Sequence, residues 1–111
     1  MNDNIVLLLD FYGELLPKSQ QTALDLRLNS DLSLGEIAEE MGGISRQSVN
    51  DFLKKGKQRL IELEEVLGNA KRFLEISGEL ENIKSALAEL PEEHFERLTQ
   101  AVERIRGILR N

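Results

Sequence analysis

Apolar residues recur at intervals of three and four along most of this chain, and that rhythm leaves little room for anything but helices. Ile5, Leu8, Leu9, Tyr12, Leu15 and Leu16 fall on one side of a helix through residues 4–16. Ala23, Leu24, Leu26 and Leu28 are the candidate core of a second stretch ending near Leu28. Leu60, Leu63, Leu67, Ala70 and Leu74 continue the pattern. Phe73, Ile76, Leu80, Ile83, Leu87 and Leu90 take it up in a shifted frame, and Phe95, Leu98, Val102, Ile105 and Leu109 repeat it. No segment alternates as a strand would. Both prolines, Pro17 and Pro91, stand where a helix can begin. The expected fold is all-α.

Between the second and third of these rhythms the sequence is punctuated more closely. Asn29-Ser30-Asp31 is a turn signal, and Ser33-Leu34-Gly35-Glu36 has the Ser-x-x-Glu pattern of a capping box. The short helix it opens carries Leu34, Ile37, Ala38 and Met41, and Gly42-Gly43 stops it. Ser45 is the next N-cap. Behind it Val49, Phe52, Leu53 and Gly56 share one side of a helix that meets no strong breaker before Gly68-Asn69. A short capped helix (33–41), a glycine turn and a second capped helix (45–56) make a helix-turn-helix. Ala38 supplies a small contact surface, and Ile37, Ile44, Val49 and Phe52 form the seam. Gly56 permits close packing of helices. The expected organisation is a helix-turn-helix domain over 1–67 and a C-terminal arm over 68–111, a helical hairpin or coiled coil that dimerises.

The first turns of the second helix in such a motif enter a major groove. Here they offer Arg46, whose fork matches guanine, and Gln47 and Asn50, whose amides match adenine. Lys54 follows one turn on for phosphate, Lys55 and Lys57 extend the basic cluster to Arg59, and Ser45 is placed to reach a phosphate. The net charge of −6 opposes them. Residues 1–67 hold 7 basic and 12 acidic side chains and the remainder 7 and 8, so any affinity for DNA or RNA is local and weak. The alternative for these residues is a solvated face, with the cations paired to Asp51, Glu62 or Glu64. Lys55-Gly56-Lys57 is no phosphate loop, because Asp51 and Gln58 stand where that motif needs Gly and Ser or Thr. Glu36, Glu39 and Glu40 have no nucleophile or base spaced to join them, and His94 is a single histidine. With no cysteine, neither a disulfide nor a thiolate metal site is possible. The expectation is no enzyme, no cofactor and no metal. The longest apolar run, Ile5 to Leu9, is too short to span a bilayer, and the first residues lack a basic leader start. No membrane insertion and a cytoplasmic location are expected.

Leu16-Pro17 through Gln20, Leu26-Arg27-Leu28, Leu32-Ser33-Leu34, Glu36 through Gly42 and Ile44-Ser45-Arg46-Gln47-Ser48-Val49 resemble region 4 of sigma factors. With Asp10-Phe11-Tyr12-Gly13-Glu14-Leu15-Leu16 upstream, residues 5–67 resemble the YlxM family. That resemblance implies a small bacterial regulatory helix-turn-helix protein encoded beside the signal-recognition-particle GTPase, with a partner in that pathway. The chain departs from the pattern at Gly42-Gly43, which holds one residue more than the family usually has before its apolar-Ser-Arg triplet. Two readings stay open: a nucleic-acid-binding regulator, and a protein–protein adaptor that keeps the scaffold without binding DNA. For the arm, the long apolar stripe leads to a homodimer, with Leu80 and Leu87 in the seam between copies.

Overall fold

A computed structural model describes residues 4–110. The described residues form six α-helices and one short 3-10 turn, with no strand. The chain divides after Ala70 into two compact units.

The first unit is built on α1 (Ile5–Tyr12), α2 (Lys18–Leu28), α3 (Leu34–Glu40) and α4 (Arg46–Leu67). Tyr12, Leu24, Ile37, Val49 and Leu60 are fully enclosed at its centre, ringed by Ile5, Leu8, Leu9, Leu16, Ala23 and Leu53. Each of the four helices therefore contributes to one core. The expected first helix through Leu16 is shorter than the apolar rhythm implied. Its α-geometry ends at Tyr12, Gly13–Leu15 form the 3-10 turn, and Leu15 is 60% exposed. Pro17 is the cause, since its ring disfavours helical geometry in the residue before it, and Leu16 is accordingly extended. Gly56 does allow close packing. A Cβ there would lie 2.6 Å from Leu24 Cδ1, so α2 and α4 approach more closely than alanine permits.

Glu64 corrects another expectation. Instead of pairing with the lysine cluster, it accepts a 2.6 Å hydrogen bond from the Tyr12 hydroxyl and a 3.1 Å bond from Ala70 N–H. The Tyr12 hydroxyl in turn accepts from Asn69 N–H at 3.1 Å. Two amides at the start of the fifth helix, which have no partner within their own helix, are satisfied by this pair.

The second unit holds most of α5 (Asn69–Leu87) together with α6 (Glu92–Arg110). Pro91 immediately precedes α6, as its position in the sequence suggested. The two helices form a hairpin. Leu80, Leu87 and Val102 are buried between them, and Phe95 and Leu109 pack alongside. Leu80 and Leu87 thus lie inside one chain's hairpin, not in the seam between copies expected from the sequence. Among the described residues no helix is long and apolar enough to cross a membrane.

Candidate nucleic-acid interface

The helix-turn-helix is set by local chemistry at three points. The Ser33 hydroxyl accepts from Glu36 N–H at 3.2 Å, and the Glu36 carboxylate accepts from Ser33 N–H at 2.8 Å. The bond from Ser33 N–H, and after it the Ser33 hydroxyl beside the carboxylate, hold the Glu36 carboxyl below its ordinary pKa. Glu36 is therefore a capping group.

The stop after α3 is a Schellman motif. Gly42 N–H bonds to Glu39 C=O at 3.1 Å and Gly43 N–H to Ala38 C=O at 2.9 Å. Both glycines have positive φ, 92° and 81°, a pairing that residues with side chains adopt only under strain. At Ser45 the chain enters α4. The Ser45 hydroxyl accepts from Ser48 N–H at 3.0 Å and donates to the Ser48 hydroxyl at 2.9 Å.

On α4 the core-facing row is Val49, Leu53, Gly56 and Leu60. At about 100° per residue, Gln47, Asn50 and Lys54 fall within about 60° of one another on the solvent side. All three are exposed, and they line a shallow hollow with Ser45, Ser48 and Asp51. Among the described residues none makes a hydrogen bond or ion pair with Gln47, Asn50, Lys54 or Lys57.

The remaining candidates are placed elsewhere. Arg46 is exposed but leans back on α3: a Cβ at Gly35 would meet its guanidinium at 3.1 Å. Lys57 is half-buried on the flank next to Asn50. Lys55 turns about 100° away from Lys54. It pairs with Asp51 at 3.1 Å and lines a different hollow with Arg59, Gln58 and Pro17. Arg59 pairs with Glu62 at 3.9 Å. The basic cluster of the sequence is thus two half-clusters on different sides of one helix. Reading by composition missed Ser48, which shares the hollow, and the position of Asp51 between Gln47 and Lys54. A helical projection of residues 45–58 would have shown both. Ser45 has its hydroxyl engaged in capping.

A family profile described as "Putative helix-turn-helix protein, YlxM / p13 like", the UPF0122 family, matches residues 2–102. The chain belongs to this family. It is 45% identical over 108 residues to a UPF0122 protein of Acetivibrio thermocellus, covering 93% of this chain and 92% of that one. A UPF0122 protein of Desulforamulus reducens is 39% identical over 111 residues, covering 96% and 87%. One from Bacillus cereus is 41% identical over 99 residues, covering 88% and 87%. The family match runs well beyond residues 5–67, where the resemblance was legible in the sequence, and takes in most of the hairpin. The family's description is that of a helix-turn-helix protein. Among the described residues there is no cluster of carboxylates and imidazoles suited to a metal ion.

Proposed function

We propose that this UPF0122 protein is a regulatory nucleic-acid-binding protein whose α4 docks with Gln47, Asn50 and Lys54 toward a groove. One observation carries the reading: these three side chains stand exposed on one face of the second helix of the motif, with no hydrogen-bond or ion-pair partner among the described residues. A polar side chain held out on a rigid helix keeps its hydrogen-bonding capacity for a ligand. Gln47 and Asn50 have the amide geometry that pairs with adenine edges, and Lys54, with Lys57 on its flank, supplies charge for phosphate. Affinity on this reading is weak and electrostatic, because two cations displace few counterions and the chain carries −6 overall.

The test is the salt dependence of binding to a mixed-sequence duplex. Replacing Lys54 and Lys57 with alanine is expected to flatten the salt slope by about one unit for each phosphate that a lysine no longer neutralises. Lys55→Ala, which removes a cation already paired and turned away, is expected to leave the slope unchanged. Equal effects from all three, or none, contradict the proposed face.

A second reading has its own observation. Asp51 lines the hollow beside Lys54 and pairs with Lys55 at 3.1 Å, which breaks any continuous basic stripe. That favours an adaptor using the same polar face on a protein partner. The likeness to YlxM proteins supports a partner in the signal-recognition-particle pathway. Co-elution with that pathway's GTPase, in the absence of salt-dependent duplex binding, is the result that selects it.

A further inference from the structure

The outward face of α4 carries one group that a phosphate backbone repels. Asp51 stands one turn beyond Gln47, within about 40° of it around the helix and about 6 Å further along the axis. It lines the same hollow as Gln47, Asn50 and Lys54, and its side chain is 54% exposed. Lys55 Nζ holds one carboxylate oxygen, Oδ2, at 3.1 Å. The other, Oδ1, has no partner among the described residues. The carboxylate is thus tethered by one oxygen, with the second left as an open acceptor.

A helix that docks by phosphate attraction alone gains nothing from a carboxylate here. On docking the group loses water, and unless it regains a hydrogen bond it weakens the complex. The base edges of a B-form major groove offer a carboxylate two kinds of donor, the amino groups at cytosine N4 and adenine N6. Guanine O6 and N7 and thymine O4 are acceptors, and against them a carboxylate is unpaired and repelled. Adenine sets its N7 acceptor beside N6, which suits the amides of Gln47 and Asn50 better than a group with acceptors only. Cytosine presents the amino donor without that acceptor. It is the base that Asp51 fits. The deep, narrow major groove of A-form RNA cannot be read by side chains, so the matching ligand is duplex DNA.

We propose that Asp51 is the specificity-determining residue of the α4 face, its open carboxylate oxygen accepting from a cytosine N4 amino group in the major groove of B-form DNA. This rests on the nucleic-acid reading and adds to it the class of duplex preferred, one that offers cytosine beside the adenines matched by Gln47 and Asn50. The same charge weakens binding to other sequences, since discrimination comes from repelling the wrong partner as well as from holding the right one.

The experiment is selection on a randomised DNA duplex library at low salt, with the wild-type chain and with Asp51→Asn. The enriched duplex is then titrated against the same duplex carrying thymine in place of the enriched cytosine. The wild-type chain is expected to enrich cytosine at a fixed position and to lose about tenfold or more in affinity when it is replaced. Asp51→Asn is expected to lose that preference and to bind mixed-sequence duplex several-fold more tightly, because a charge that repels phosphate is gone. Asp51 is exposed and outside the core, so this variant reads the contact and not the fold. The Lys54 and Lys57 alanine variant, titrated on the same mixed sequence, keeps the two readings apart. If it flattens the salt slope while Asp51→Asn keeps the wild-type base preference, the proposal is overturned and the docking face stands. Wild-type binding with no preference for cytosine overturns it in the same way. If the wild-type chain shows no salt-dependent duplex binding, the nucleic-acid reading falls and the proposal falls with it.

Discussion

At the scale of single residues, Tyr12 is the most informative side chain. It is 1% exposed, it donates to Glu64 and it accepts from Asn69. Burial, then the hydrogen bond to Glu64, raises its pKa above the ordinary 10.0. A raised folded-state value favours the neutral phenol. Its contribution to stability is therefore complete below the unfolded value near 10 and is lost as pH rises through the folded value. The chain has one tyrosine and no tryptophan, so tyrosinate absorbance reports this group alone. The midpoint in the folded protein is expected above 10.0, falling toward it in denaturant. Tyr12→Phe should cost about 1–3 kcal/mol at neutral pH, as read from urea unfolding, by leaving the half-buried Glu64 short of a donor. Burial of Tyr12 was legible from its place in the apolar rhythm. Its bond to Glu64, 52 residues away, was not, because no local pattern encodes a pairing across three helices. The same blindness grouped the lysines wrongly: adjacency in sequence put Lys54, Lys55 and Lys57 together, and helical rotation sends Lys55 elsewhere.

The elements were legible where their ends are fixed by neighbours in sequence. Ser33 with Glu36, Gly42-Gly43 and Ser45 each act within a few residues, and each does what its type and spacing required. The first helix was read too long because apolar spacing persists through Leu15 and Leu16, while Pro17 decides the backbone there. The glycine stop yields a prediction at this scale. Gly43→Ala forces a side chain into φ 81°, at a cost of about 1–2 kcal/mol. Ser45→Ala removes the cap on α4, at about 1 kcal/mol. The two act on opposite sides of one turn, so urea unfolding of the double variant is expected to show the losses adding to within about 0.5 kcal/mol. A much larger combined loss would mean that the turn behaves as one cooperative unit.

For the whole molecule, composition and charge point away from nucleic acid while the helix-turn-helix points toward it. The structure relieves part of that conflict. Asp51, which shares the hollow with Lys54, and Glu62 are engaged by Lys55 and Arg59, and among the described residues Lys54 and Lys57 have no ion-pair partner. The charge that counts is therefore the local one on a single face, at distances shorter than the screening length of about 10 Å. The all-helical class and the helix-turn-helix were both readable in the sequence. The boundary between buried and exposed rows of the hairpin was not, because a three-four rhythm marks both rows alike and only the partner helix chooses between them. Whether nucleic acid binds the outer face of α4 is decided by mapping amide chemical shifts as a duplex is added at low salt to the isotopically labelled chain. Shifts are expected to concentrate at Gln47, Asn50, Lys54 and Lys57 and to fade as salt is raised. Shifts confined to α5 and α6, or none at duplex excess, would contradict that binding face.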